Sequence, residues 1–294
     1  MGKRDVVLFD KTGKKKKALF GQQKMAPQLA IAFFEAGDKF ITGSSEGLLY
    51  LWDNCQAQKT FPVHTGSVQA LTIINNQIYT SGNDKKLNVW DVNVKQITSY
   101  EIPQYAKAID VQGDLIIVGT RNGCIVEIDK GKSNIVMNGH SDGEVWGLAI
   151  CPNTGNVHFS SLKYFIKINK IVTTCDDNKI VLFDPIQRKT IKTGVVNTVA
   201  GLKKKIGGAS TESSFPPNQC ARAAAIAKKG HIAIGVNSGE VHIFETSDLD
   251  KKLKTLTDAK EWVETMAYSP DDEHLAVGSH DDSIYIYEVK IFLT

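Results

Sequence analysis

The stretch VQALTIINNQIYTSGNDKKLNVWD, Val68–Asp91, decides the reading of this 294-residue chain. It holds two apolar runs of period two joined by Asn75-Asn76, then a polar turn containing Gly82 and Asp84, then a third run closing on Trp90-Asp91. Alternation of period two is the mark of a half-buried strand, and Asn-Asn and Gly-Asn pairs are turn residues. One copy of this plan is a three-strand meander that cannot bury its apolar faces alone.

The plan recurs. LAIAFFEAGDKFITGSSEGLLYLWD precedes it from Leu29, and AKAIDVQGDLIIVGTRNGCIVEID follows from Ala106. A fourth copy is interrupted, with VWGLAICPNTG from Val145 and IVTTCDDNKIVLFD from Ile171. ARAAAIAKKGHIAIGVNSGEVHIFE from Ala221 and VETMAYSPDDEHLAVGSHDDSIYIYE from Val263 complete six. The residues before the closing acids are Trp52, Trp90, Ile128, Phe183, Phe244 and Tyr287, at intervals of 38, 38, 55, 61 and 43 residues. A period of about 40 with strand-type runs describes the blades of a β-propeller of the WD-repeat class. Helical solenoids of similar period are excluded, because helix-period patterning is absent.

The expected fold is therefore all-β: a WD-repeat β-propeller with six recognisable blades and a lone N-terminal strand, belonging to a tandem-propeller chain. Residues 1–28 are read as the last strand of a preceding blade (Asp5–Asp10) and a connector, and residues 29–294 as the propeller. No further a–c strands follow Tyr287, so a fragment of a longer chain is expected before a closed six-blade ring. Two long intervals place insertions at 156–170 and 197–218. The first, rich in Asn, Lys, Ile, Phe and Tyr, reads as a translated intron or a genuine hairpin extension. The second, Gly/Ser/Pro-rich after Lys203–Lys205, reads as a surface loop.

In a WD blade a loop His, a strand-b Ser or Thr, a turn Asp and a strand-c Trp are joined by hydrogen bonds. The second copy supplies His64, Ser81, Asp84 and Trp90; the fourth supplies His140 and Asp177; the sixth supplies Asp281, at the same offset before Tyr287 as Asp84 before Trp90. These are read as structural groups and not as catalytic bases or carboxylate pairs. There is no GxSxG, P-loop, HExxH or helix-opening GxGxxG, so catalysis and cofactors are not expected.

Bulk composition is that of a globular chain, with 42% hydrophobic and 23% charged residues. The net charge of +3, from 35 basic and 32 acidic residues, gives no sign of a nucleic-acid partner. Cys55, Cys124, Cys151, Cys175 and Cys220 are scattered and form no CxxC, so neither a disulfide framework nor a zinc site is expected. No apolar stretch reaches the roughly 18 residues of a membrane span.

Longer runs carry a resemblance. LFGQQ (Leu19–Gln23), the run from Leu29, VGTRNGCIVEI (Val118–Ile128), NGHSDGEVWGLAICP (Asn138–Pro152) and LAVGSHDDSIYIYEV (Leu275–Val289) resemble the echinoderm microtubule-associated protein-like (EMAP-like) family. The resemblance covers nearly the whole chain apart from the two insertions, and departs from the family in the N-terminal coiled-coil and basic region and most of the first propeller. It implies a non-enzymatic microtubule-associated scaffold of the cytoplasm and cytoskeleton or of a ciliary axoneme. The implied partners are tubulin and other cytoskeletal or axonemal proteins; a generic WD scaffold with a non-tubulin partner is the alternative. Candidate contacts to an acidic partner are basic loops: Lys14, Lys15, Lys16 and Lys17; Lys203, Lys204 and Lys205; Lys228 and Lys229; and Lys251, Lys252 and Lys254.

Overall fold

The computed structural model describes residues 6–9, 15–17, 25–34, 39–112, 115–129, 131–138, 145–150, 171–175, 179–184, 187, 189–195, 220–246 and 248–292. The chain divides into two compact units, Met1–Gly139 with Gly143–Leu148, and His140–Asp142 with Ala149–Thr294.

In the first unit, β1 (Val7–Phe9) pairs antiparallel with β2 (Lys15–Lys17). The first sheet is β3 (Gln28–Phe33), β4 (Lys39–Ser44), β5 (Leu48–Asp53) and β6 (Gln56–Pro62). The second is β7 (Val68–Ile74), β8 (Gln77–Gly82), β9 (Lys86–Trp90) and β10 (Gln96–Glu101), and the third β11 (Ala106–Gln112), β12 (Leu115–Thr120), β13 (Cys124–Asp129) and β14 (Lys132–Asn138). The fourth, β15 (Val145–Ile150), β16 (Ile171–Cys175), β17 (Lys179–Asp184) and β18 (Lys189–Val195), begins at the border of the units. The second unit continues with a fifth sheet of β19 (Ala221–Ile226), β20 (His231–Val236), β21 (Val241–Glu245) and β22 (Asp248–Leu256). The sixth, β23 (Val263–Tyr268), β24 (His274–Ser279) and β25 (Ile284–Glu288), has three strands among the described residues. Each of the six larger sheets is a meander in sequence order, which is the blade of a WD-repeat β-propeller.

Each blade has a fourth, outer strand beyond the three apolar runs, except the sixth among the described residues. The strand read as a lone N-terminal piece is one arm of a hairpin, its partner being the lysines of β2. Val6 is buried and, with Leu8, packs against Phe40, Tyr50 and Trp52 of the first sheet.

Alternation decides which neighbour each side chain meets. In the second sheet Ile78 and Trp90 face back onto Ile41 and Leu49 of the first, while Tyr79, Leu87 and Val89 face forward onto Ile116, Val118 and Val126 of the third. The second unit repeats this: Ile232, Ile234 and Phe244 face Val172, Ile180 and Leu182, whereas Ala233, Val241 and Ile243 face Met266, Leu275 and Val277. A valine opening one sheet seats against a glycine in the second strand of the sheet before it. A β-carbon on Gly43 would lie 2.6 Å from Val68 Cγ1, one on Gly119 2.6 Å from Val145 Cγ1, and one on Gly235 2.3 Å from Val263 Cγ1. Sheets approach this closely because the glycines carry no side chain.

The insertions at 156–170 and 197–218 lie outside the described residues. Cys55 and Cys124 are buried and Cys220 is half-buried. No helix among the described residues is long and apolar enough to cross a membrane.

Candidate functional site

Four side chains of the second blade form a continuous hydrogen-bonded bridge. Asp84, in the turn after β8, lies 2.9 and 3.0 Å from His64 Nδ1. Its carboxylate also accepts the Thr65 and Lys86 amides at 3.2 Å each, which ties the loop before β7 to the turn before β9. Nδ1–H donating to Asp84 leaves His64 Nε2 as an acceptor, assigned from the network. The Thr80 hydroxyl then donates to Nε2 at 2.8 Å and accepts the Trp90 indole N–H at 2.9 Å. Gly82 makes room for the imidazole, since a β-carbon there would lie 2.7 Å from His64 Cγ. Burial holds His64 below the ordinary imidazole range, against the opposing pull of Asp84, so at neutral pH the contact joins a carboxylate to a neutral ring.

The bridging hydroxyl belongs to Thr80, not to Ser81 as the sequence suggested. Register explains the correction. Ile78 pairs with Trp90 and Thr80 with Asn88, so Ile78, Thr80 and Trp90 share a face, while Ser81 pairs with Leu87 on the opposite one. The Ser81 hydroxyl is buried and has no hydrogen-bond partner. The first blade repeats the offset of ten residues, its Trp52 indole donating to Thr42 Oγ1 at 2.9 Å, with Glu46 where Asp84 stands. In the sixth blade Val277 occupies the hydroxyl position, and Tyr285 donates instead to Asp281 at 2.9 Å. Asp281 also accepts the Lys260 amide at 2.8 Å and the Ser283 amide at 3.0 Å. The Lys260 amide first, with Tyr285 and Ser283 adding to it, lowers its carboxyl to about 2. His140 and Asp177 lie outside the described residues.

A second position escaped the sequence reading. Two residues before the closing aromatic stands Asn88 in the second blade and His242 in the fifth. Asn88 donates to the Val63 carbonyl at 3.0 Å and accepts from Ser99 of the outer strand at 2.6 Å. His242, wholly covered, meets Thr255 of its own outer strand at 3.2 Å through Nδ1. Burial, then the charge of Lys252, lowers its pKa to about 4. Glu240 Oε2 lies 3.2 Å from Nε2, but neither atom has hydrogen-bond alignment. Burial dominates, and His242 is a neutral core residue.

The lysines are placed differently from the loops expected. Lys15, Lys16 and Lys17 are the strand β2, and Lys251, Lys252 and Lys254 lie within the outer strand β22. Polar residues suit that place because outer strands bury little side chain. Lys251 pairs with Glu245 at 2.7 Å, and Lys228 donates to the Pro270 carbonyl at 2.8 Å. Lys14 and Lys203–Lys205 lie outside the described residues. No group of three or more His, Cys, Asp or Glu side chains suited to a metal ion occurs among the described residues.

The blade sheets and the Trp-to-Thr contacts define this as a WD-repeat propeller chain. The WD domain, G-beta repeat family matches residues 55–91, 131–184 and 250–288. The matches 55–91 and 250–288 each run from the outer strand of one sheet through the first three strands of the next, so one sequence repeat staples neighbouring blades. Within that class the chain resembles the EMAP-like proteins along most of its length. It is 34% identical over 281 residues to the ciliary WD repeat-containing protein ctxp80 of Euplotoides octocarinatus, covering 93% of this chain and 37% of that protein. It is 30% identical over 288 residues to human echinoderm microtubule-associated protein-like 1, covering 94% and 31%. The 77 kDa echinoderm microtubule-associated protein of Lytechinus variegatus is 27% identical over 272 residues, covering 89% and 35%. The chain thus spans about a third of the length of these relatives.

Proposed function

We propose that this chain is a non-enzymatic scaffold that associates with microtubules, in the cytoplasmic cytoskeleton or a ciliary axoneme. The supporting observation is its similarity, along 93–94% of its length, to a ciliary WD-repeat protein and to a microtubule-associated one. The physics suits such a role, because stapled antiparallel sheets present their connecting loops without rearranging.

The contact is electrostatic in this reading. The microtubule surface is acidic, and Lys203–Lys205 form a run of three charges in a segment rich in Gly, Ser and Pro. Screening at physiological salt confines such attraction to about 8 Å, so a cluster acts only when seated at the interface. Replacing Lys203, Lys204 and Lys205 together by glutamine should lower the fraction of protein that sediments with microtubules. Unchanged sedimentation would remove this segment from the interface.

A further inference from the structure

Trp262 is the most exposed of the four tryptophans, Trp146 being half-buried beneath Lys107. Trp52 and Trp90 are buried in bridges between strands, but Trp262, just before β23, is 44% exposed. It is nevertheless held firmly. The Arg222 guanidinium, from β19 of the neighbouring sheet, lies over the indole at 4.5 Å, and the His280 ring lies 5.4 Å away. The His280 amide donates to the Trp262 carbonyl at 2.9 Å, the Ser279 hydroxyl to the Glu261 carbonyl at 3.0 Å, and the Lys260 amide to Asp281 at 2.8 Å. An aromatic ring presented on a pinned backbone loses little entropy when a partner covers it.

The charge around the ring is acidic within a chain that is basic overall. The segments that carry Trp262 and His280 hold Asp258, Glu261, Asp281 and Asp282, with Glu264 two residues after the tryptophan in β23, against Lys260, Arg222 and His280. Arg222 is largely buried and already committed to the indole, 3.9 Å from Glu264. The Glu264 side chain is 47% exposed, with its Oε2 3.1 Å from His280 Nε2.

We propose that Trp262, Glu264 and Glu261 form a docking point for a basic peptide segment of a partner protein. A lysine or arginine of that segment lays its apolar stem across the exposed part of the indole and turns its charged head to the two carboxylates. The charge preference is opposite to that of the lysine clusters, so this site is independent of the microtubule reading and can stand or fall without it.

The test uses the full chain and a fluorescein-labelled eight-residue peptide alternating glycine and lysine, with a glycine–glutamate peptide as the counterpart. Fluorescence anisotropy should show the lysine peptide binding, more weakly as salt rises, and the glutamate peptide not binding. Trp262→Ala should weaken the lysine peptide roughly three- to tenfold, and Glu264→Lys by more. The double variant Glu261→Gln with Glu264→Gln changes exposed residues that do not support the core, so it keeps the test decisive if Trp262→Ala fails to fold. Equal binding of the two peptides, or undiminished binding by the folded double variant, would overturn the proposal.

Discussion

Lowering the pH from 7 to 5 tests His242 as a buried neutral residue. Its side chain is wholly covered, and its pKa is lowered to about 4 by burial and then by Lys252, against 6.5 for a free imidazole. The unfolded chain therefore takes up a proton between these two values that the folded chain refuses. The stabilising contribution is present above pH 6.5 and is lost as pH falls towards 4. A difference of that size amounts to about 3 kcal/mol once pH reaches 4, and to about 2 kcal/mol of extra loss between pH 7 and pH 5. The control follows from the blades themselves. Asn88 occupies the same strand position and bonds Ser99 across its outer strand, as His242 meets Thr255. His242→Asn should keep a bond to Thr255 while removing the titration. Urea unfolding at pH 7 and pH 5 should show wild type losing about 2 kcal/mol more than the variant. Lys252→Gln should narrow the gap by letting the ring protonate more readily. Equal losses in wild type and His242→Asn would show that His242 is not held neutral, and would mean that Glu240 offsets burial.

Thr80→Val removes the group that accepts the Trp90 indole N–H and donates to His64, at a cost of about 2–4 kcal/mol in urea unfolding. Ser81→Ala, one residue away, removes a buried hydroxyl with no partner and should be neutral or slightly stabilising in the same assay. Gly235→Ala drives a methyl to 2.3 Å from Val263 Cγ1 across the junction of two sheets, and should cost about 1–3 kcal/mol in the same unfolding measurement. Gly278→Ala meets only Thr265 of its own sheet, at 3.0 Å, and a thermal melt should show a smaller loss.

The blades were legible because their apolar runs alternate and end on an aromatic or apolar residue with an acid, at intervals of 38, 38 and 43 residues where no insertion intervenes. The fourth strands were not. Gln56–Pro62 and Gln96–Glu101 leave most of their side chains exposed, so no apolar alternation marks them. The lysines of β2 hid a strand for the same reason: pairing with Val7–Phe9 is made by backbone groups, which any side chain permits. Thr80 and Ser81 show a different limit. Both are hydroxyl residues in one strand, and only register decides which shares a face with Trp90. His64 and Asp84 were readable because their twenty-residue separation follows from the loop and hairpin lengths of the repeat. His242 carried no such signal, since its role depends on an outer strand whose own position was hidden.

Microtubule co-sedimentation of the purified chain at low and at physiological salt measures the proposed association itself. Microtubule association predicts pelleting at low salt that weakens as salt rises. Absence of pelleting at low salt would contradict it, and would assign the propeller to a partner other than the microtubule.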